Sequence, residues 1–160
     1  MKTLYLLRHA KSSWADATLA DFDRPLNERG KRAAETIGNY LKSNHITPEL
    51  ILCSTALRTR ETLAIVTHAA ELNTEVCFDQ RIYEASSSRL SQVISEIEND
   101  RSVVMVIGHN PGLEEILLLL TGKRQEMSTG TLAKIVFDTM SWTTVVEKRG
   151  TLESIVSPGE

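Results

Sequence analysis

Two arginines and two histidines carry the chemistry that this sequence offers, and each stands at or shortly after the end of an apolar run. They are Arg8, His9, Arg58 and His109. Guanidinium groups match phosphate oxygens bidentately, and a neutral imidazole has a lone pair with which it can attack phosphorus. The combination therefore favours a phosphoryl group as the ligand, and neighbouring cations should keep His9 neutral by lowering its pKa.

The apolar runs before these residues are predicted to be strands that are buried on both faces, like the central strands of a parallel sheet. The runs cover residues 2–7, 50–53 and 102–107. Ligands bind such sheets at the carboxyl ends of the strands, and these ends meet at one edge. We therefore expect Arg8 and His9, the turn from Ser54 to Arg58, and His109 to converge on one site.

Helical spacing of apolar residues predicts helices between these strands. They cover residues 28–43 after an Asn27 cap, a segment from a Ser54 or Thr55 cap through Val66, residues 90–97 and residues 113–120. Residues 10–26 are predicted as a loop, 74–78 as a strand, and 131–137 with 143–148 as a hairpin. The predicted fold class is α/β, a three-layer sandwich whose mainly parallel sheet has helices on both faces and an antiparallel edge.

Length and composition are those of one ordinary globular domain. The chain has 160 residues, of which 41% are hydrophobic and 24% charged, with a net charge of −3 from interspersed charges. The longest apolar runs are far too short to span a membrane, and the amino-terminal run is too short for a signal peptide, which indicates the cytoplasm. No basic stripe indicates nucleic acid, and we expect a monomer.

Two other classes of phosphatase fit the sequence poorly. Cys53 and Cys77 are predicted to be buried free thiols, and a Cys-x5-Arg motif fails because Arg58 and Arg60 stand at x4 and x6 from Cys53. The histidines lack His-x3-His spacing and a neighbouring acidic cluster. We therefore predict no metal and no cofactor.

The same residues resemble the signature of the histidine phosphatase superfamily, which is Arg-His-Gly after the first strand. Here it is Arg8-His9-Ala10, and the stretches 8–14 and 21–30 are similar to the SixA branch, the phosphohistidine phosphatases. Residues 54–62 match the segment of the second arginine and residues 108–111 that of the second histidine. The resemblance implies a phosphoglycerate mutase-like fold and one histidine phosphatase domain over residues 1–160 without a large capping insertion.

The resemblance also implies a role for each candidate. His9 is expected to be the nucleophile that forms a phosphohistidine intermediate, Arg8 and Arg58 to hold the phosphoryl oxygens, and His109 to stabilise charge on the transferring group. Each role agrees with the chemistry of the side chain.

The proton donor is left open by the sequence. Larger members of the superfamily use an acid at about the place of Glu84, so Glu84 is one candidate. Asp16, Asp21 and Asp23 follow the nucleophile and are alternatives, although Asp16 and Asp21 are expected to be solvated loop residues. Solvent is a further source, because a phosphoramidate bond breaks readily once the leaving imidazole is protonated.

Several other residues lie near the site by sequence. Lys11, Ser12 and Arg24 can contact substrate or be surface residues, and Asp23 is expected to pair with Arg24. Trp14 is predicted to cover the local core, with an exposed recognition contact as the alternative.

The short spacing between the second arginine and the second histidine predicts an open site, because 50 residues lie between them. An open site admits a phosphohistidine on a protein, such as a phosphotransfer domain. The leading hypothesis is a metal-independent protein phosphohistidine phosphatase. A small-molecule phosphomonoesterase of the same superfamily and a non-catalytic phosphate-binding module are the alternatives, because fold analogy cannot settle the substrate.

Overall fold

The computed structural model describes residues 1–145 and 149–159. Within these residues the strands are β1 (Lys2–Arg8), β2 (Leu50–Cys53), β3 (Glu75–Phe78), β4 (Val103–Gly108), β5 (Leu132–Phe137) and β6 (Thr151–Val156). The α-helices are α1 (Glu28–Ser43), α2 (Leu57–Ala70), α3 (Ser87–Ser95), α4 (Gly112–Thr121) and α5 (Trp142–Val145). Short 3-10 turns cover Asp21–Asp23 and Gln80–Ile82.

The strands form one sheet in the order β3-β2-β4-β1-β5-β6. β1 and β2 both pair in parallel with β4, with Arg8 opposite Gly108 and Cys53 opposite Ile107. β5 is antiparallel to both β1 and β6. The predicted α/β class, with its antiparallel edge, is confirmed, and the register brings the carboxyl ends of β1, β2 and β4 side by side.

Successive residues of β1 supply the cores on opposite faces of the sheet, as the pleat requires. Leu4 and Leu6 pack in one core with α3, α4 and α5, whereas Tyr5 and Leu7 pack in the other with α1 and α2. Leu4, Leu6 and Leu7 are all fully buried. The three-layer arrangement therefore follows from strands that are apolar on both sides.

Helix α1 begins against the loop that follows the first strand. The Asn27 side chain accepts a hydrogen bond from the Gly30 amide at 2.8 Å, which is the predicted cap, and the Asn27 amide donates to the Lys11 carbonyl at 3.0 Å. A Cβ atom at Gly30 would lie 2.0 Å from that carbonyl oxygen. Only glycine permits this approach, which fixes the backbone two residues after His9.

The predicted carboxyl-terminal hairpin is wrong in its second strand. Trp142–Val145 is a helical turn, residues 146–148 lie outside the described residues, and the partner of β5 is β6. Trp142 is fully buried, and its Nε1 donates to the Arg101 carbonyl at 2.6 Å. This tertiary anchor, which a local pattern does not report, decides the conformation of the segment.

Two further boundaries differ from the prediction. The N-cap of α2 is Ala56, which has no side-chain cap, and the predicted cap Ser54 instead accepts the Ala56 amide at 3.2 Å. Helix α3 begins at Ser87 after a Ser86 cap, three residues before the predicted helix over residues 90–97. None of the described helices is long and apolar enough to cross a membrane.

Candidate active site

The predicted arginines and histidines meet in one cavity of about 440 Å³ at the carboxyl edge of the sheet. Its lining includes Arg8, His9, Lys11, Trp14, Arg24, Arg58, His109 and Asn110. The imidazole centroids of His9 and His109 are 5.2 Å apart, and both side chains are buried. The convergence that was inferred from strand ends is therefore present in the structure.

His9 is held in one tautomer. Its Nδ1 lies 2.7 Å from the Ala10 carbonyl oxygen, which can only accept a hydrogen bond. Nδ1 must therefore carry the proton, and Nε2 keeps its lone pair. Burial, followed by the charges of Arg58 and Arg8, lowers the pKa of His9 to about 4. At neutral pH this imidazole is uncharged and is a competent nucleophile.

The backbone after His9 is tied to α2. The Ala10 amide donates to Thr62 Oγ1 at 3.0 Å, and the Thr62 hydroxyl donates to the Arg58 carbonyl at 2.7 Å. Ala10 is fully buried and does not have a positive φ. Alanine therefore fits where the family signature has glycine, because the backbone makes no demand for a left-handed conformation.

His109 is oriented by a buried serine. Its Nε2 lies 2.8 Å from Ser54 Oγ, and that oxygen already accepts the Ala56 amide at 3.2 Å. Within the described residues, His109 Nε2 is the only acceptor in reach of the Ser54 hydroxyl proton. The hydroxyl therefore donates to Nε2, and Nδ1 of His109 carries the ring proton.

The Nδ1 atom of His109 is buried and has no hydrogen-bond partner within the described residues. Burial, followed by His9 and Arg58, lowers the pKa of His109 to about 3, so the ring is neutral at physiological pH. A neutral N–H donor without an acceptor, in the same cavity as His9, is suited to an oxygen of a bound anion.

Arg8 contributes a second buried N–H donor that lacks an acceptor within the described residues. Its Nη1 donates to the Met127 carbonyl at 3.0 Å, while its Nε is buried and has no partner among the described residues. The Asn110 side chain donates to the same carbonyl at 2.8 Å and to Glu114 at 2.9 Å. Glu114 in turn accepts the Met127 amide at 2.7 Å. This network from α4 fixes the arginine beside the nucleophile.

Arg58, in the first turn of α2, is bound to Asp21. Its Nη1 donates to the Asp21 carbonyl and its Nη2 to the Asp21 carboxylate. The same carboxylate accepts the Tyr83 hydroxyl at 2.6 Å and Arg24 Nη1 at 3.1 Å. The hydrogen bond from Tyr83 and the two arginines lower the pKa of Asp21 to about 2.

Of two expectations for the loop, the solvated Asp21 holds only in part and the pairing of Asp23 with Arg24 is wrong. Asp21 is half-exposed, yet its carboxylate is engaged by three side chains rather than by solvent alone. Arg24 pairs with Asp21 and not with Asp23. Because Asp21 is ionised in this arrangement, it does not have a proton to donate. Asp16 is exposed and only closes a turn with Thr18.

Glu84 is not brought into the cavity lining. Its side chain is exposed, and its backbone has a left-handed φ of 53°. Its neighbour Tyr83 lies closer to the chemistry, with its ring edge-on to His109 at 5.4 Å between centroids. Burial and the hydrogen bond to Asp21 raise the pKa of Tyr83. A proton-donor role for Glu84 stays a prediction.

Trp14 stands at the rim of the cavity. The Arg24 guanidinium carbon lies 3.2 Å from its ring centroid, and Arg24 is itself buried and donates to Ser12 Oγ and the Ser13 carbonyl. Trp14 is 78% exposed. The prediction that it covers the local core is wrong, and the indole instead presents its outer face to solvent.

The two cysteines do not line the catalytic cavity. Cys53 is buried, and burial raises the pKa of its thiol to about 12, whereas Cys77 is exposed, contrary to the prediction. No group of three or more histidine, cysteine, aspartate or glutamate side chains in residues 1–145 and 149–159 is placed to hold a metal ion.

Comparison with known proteins gives the family. A profile of the histidine phosphatase superfamily (branch 1) matches residues 4–91. An uncharacterized chloroplastic protein of Arabidopsis thaliana is 34% identical over 98% of this chain and 78% of its own length. SixA of Agrobacterium tumefaciens, a candidate phosphohistidine phosphatase, is 32% identical over 98% of both chains, with a TM-score of 0.83.

A second SixA structure, from Nakamurella multipartitia, has a TM-score of 0.87 at 26% identity over 99% of this chain and 97% of its own. The chain therefore belongs to the histidine phosphatase superfamily and is of the SixA type. Its family and fold are those of a histidine-phosphatase-type phosphatase.

The sequence did not identify several residues that complete the site. They are Ser54, Thr62, Tyr83, Asn110 and Glu114. Ser54, Thr62 and Tyr83 reach the site across 55, 52 and 62 residues, through their contacts with His109, Ala10 and Asp21. Glu114 acts indirectly, through Asn110 and the Met127 amide. Asn110 is the one with a local signal, because it lies in the turn after His109.

Proposed function

We propose that this protein is a metal-independent phosphatase that removes phosphate from phosphohistidine on another protein, through a phosphohistidine intermediate on His9. The observation that supports this most strongly is the state of His9. Its Nε2 is unprotonated and lies in a cavity that contains two arginines and a neutral N–H donor on His109.

In the first step, His9 Nε2 attacks phosphorus and the bond from phosphorus to the substrate imidazole breaks. The leaving imidazole takes a proton, for which solvent is the proposed source because Asp21 is ionised and Glu84 does not line the cavity. We propose that Arg8 Nε and His109 Nδ1, which have no hydrogen-bond partner within the described residues, donate to the phosphoryl oxygens, where charge accumulates in the transition state.

In the second step, water attacks the phosphorus on His9, the new P–N bond breaks, and inorganic phosphate leaves. His9 returns to its Nδ1-protonated form, which the Ala10 carbonyl favours throughout. Arg58 has its Nη atoms on Asp21, so a bound phosphoryl group shares or replaces these contacts. Arg8, Arg58 and His109 thus act on the phosphoryl group in both proposed steps.

A protein substrate is supported by the rim of the cavity. Trp14 exposes its outer face there, and its inner face is held by a buried cation, so it is a rigid surface against which a partner can pack. A SixA relative at 32% identity carries the name of a phosphohistidine phosphatase. A phosphotransfer domain is the proposed partner, with a role in signal transduction in the cytoplasm.

The test follows acid-labile phosphate on a histidine-phosphorylated phosphotransfer domain, with and without a chelator. We expect rapid loss with the wild-type chain in either condition and no acceleration with His9→Ala. His68→Ala, which changes an exposed histidine on α2, is the matched control and should retain full activity. Trapping of phosphate on His9 after rapid acid-free quenching would support the covalent intermediate.

Three results would contradict the proposal. Complete loss of activity in chelator would exclude the metal-independent route. Higher kcat/KM on a panel of small phosphomonoesters than on the phosphoprotein would assign the small-molecule alternative. Phosphate binding without turnover of either class would leave a phosphate-binding module.

A further inference from the structure

A second groove, of about 400 Å³, adjoins the catalytic cavity and shares Lys11 and Thr129 with it. We call it the cationic groove. Its basic side chains are Lys11, Arg29 and Arg32. Because the two cavities have lining residues in common, a molecule bound at His9 can continue directly into this groove.

The groove is assembled from separate parts of the chain. Arg29, Arg32 and Thr36 stand on one face of α1, with spacings of three and four residues. Lys11 comes from the loop after His9, whose backbone is pressed against Gly30 at the start of that helix. The backbone positions that carry these cations are therefore fixed relative to the nucleophile, although no basic stripe is visible in the sequence.

Two of the charges in the groove, those of Lys11 and Arg32, are available to a partner. Lys11 and Arg32 are exposed, and within the described residues no carboxylate lies in ion-pair distance of either. Lys31, on the other side of the same helix turn, pairs with Glu28 at 3.4 Å. In a chain whose net charge is −3, this local positive surface beside the catalytic cavity is a feature of recognition rather than of overall composition.

We infer that the cationic groove docks an acidic surface that borders the phosphohistidine of the protein substrate. The inference rests on the proposed function for the identity of the substrate. A protein surface fits better than the second phosphate of a small molecule, because the groove is nearly as large as the catalytic cavity and its cations lie along about 5 Å of helix and an adjoining loop.

The experiment compares two phosphotransfer domains, one with aspartate and glutamate residues around its phosphohistidine and one in which they are asparagine and glutamine. Free phosphohistidine is the small substrate. The variant is Arg32→Glu, which changes the groove and not the catalytic cavity. The control is Lys123→Glu, an exposed charge reversal just beyond the end of α4 that lies farthest from His109.

The wild-type KM should be roughly threefold to tenfold lower for the acidic domain than for its neutral version, as a few rim charges typically produce. Arg32→Glu should remove this difference without changing kcat or the turnover of free phosphohistidine, and Lys123→Glu should keep it. Equal KM values for both domains with the wild-type chain would overturn the inference. So would an equal loss on free phosphohistidine in Arg32→Glu.

Failure of the proposed function can be distinguished from failure of the docking inference. If neither domain is dephosphorylated, the docking inference is tested by the affinities of the two unphosphorylated domains. Tighter binding of the acidic domain by the wild type, but not by Arg32→Glu, supports docking. Equal binding of both domains overturns it. A further result would overturn the docking inference in favour of a second small-anion site. It is inhibition by inorganic pyrophosphate that is weaker in Arg32→Glu, together with equal affinity for the two domains.

Discussion

Asp21 binds Arg58 through two oxygens, with Nη1 donating to its backbone carbonyl at 2.8 Å and Nη2 to its carboxylate at 3.1 Å. The arginine that is proposed to hold a phosphoryl group is thus already neutralised by an anion of the protein itself. The contact joins residues 37 apart in sequence. A phosphoryl group in the cavity must compete with this carboxylate for Arg58.

Asp21→Asn should strengthen the binding of inorganic phosphate. The substitution removes a negative charge that competes for Arg58, while the backbone carbonyl still positions the guanidinium. We expect the Kd for phosphate to fall about threefold to tenfold, the scale of one partly exposed charge interaction. Isothermal calorimetry measures it, and Asp16→Asn in the same loop is the control. Weaker binding in Asp21→Asn would show that the carboxylate positions Arg58 rather than competing for it.

Arg58→Ala should lower kcat by a factor on the order of 10² to 10³, the usual cost of one preorganised donor to a transition state. Arg60→Ala, two residues further along α2, removes an exposed guanidinium whose only hydrogen bond within the described residues is to the Thr55 carbonyl, and it should leave kcat nearly unchanged. Steady-state rates on a histidine-phosphorylated protein give both values. Similar rates for the two variants would remove Arg58 from the proposed mechanism.

Ser54→Ala should remove the preference of His109 for the tautomer that carries its proton on Nδ1. Without the hydroxyl donor, Nε2 loses its partner, and the ring no longer has a reason to keep its proton on Nδ1. We expect kcat to fall about tenfold or more with a smaller change in KM, because the lost donor acts mainly in the transition state. Nitrogen-15 NMR of the ring reports the tautomer directly.

The control for this variant is Ser91→Ala, which removes another buried hydroxyl that has no partner within the described residues. It should leave both the His109 signals and kcat unchanged. An Nδ1-protonated His109 in Ser54→Ala would contradict the assignment of the serine as the residue that positions this proton.

The two active-site histidines should make stability depend on pH. Burial lowers the pKa of His9 to about 4 and that of His109 to about 3, from the ordinary 6.5. Between pH 6.5 and these values the unfolded chain binds more protons than the folded one, so the free energy of unfolding falls as the pH is lowered. The stabilisation is fully present above pH 6.5, and for His9 it is at most about 3 kcal/mol.

Chemical denaturation across this range measures the slope, and NMR titration of the rings locates the midpoints. His9→Asn should flatten the slope, whereas His68→Ala should leave it unchanged. Ring titrations of His9 and His109 near pH 6.5 would contradict the burial argument.

The elements that position the site could be predicted because their signals are local. The bounds of α1 and β2 agree with the sequence prediction, since an Asn27 cap with helical spacing defines one and an apolar run the other. The convergence of Arg8, His9 and His109 followed from the geometry of parallel strands alone. Family resemblance supplied the roles, which stay predictions.

The remaining features depend on contacts that a local pattern cannot report. Trp142 lies in a segment rich in strand-forming residues, yet its burial and its hydrogen bond to Arg101 place it in a helical turn. Asp21 looks like a loop acid in sequence and becomes an ion-pair partner only when its turn packs against α2. The single-domain assignment, the monomeric state and the absence of nucleic-acid partners likewise stay predictions.

The exposed indole of Trp14 gives this protein a built-in optical reporter. The sequence contains two tryptophans, and the second, Trp142, is fully buried among α3, α4 and α5. Emission at the red edge of the spectrum and quenching by iodide should therefore come almost entirely from the rim of the catalytic cavity. Contact with a partner can therefore be followed in the unlabelled, unmodified chain. Trp142 is an internal reference, because the quencher does not reach its buried indole.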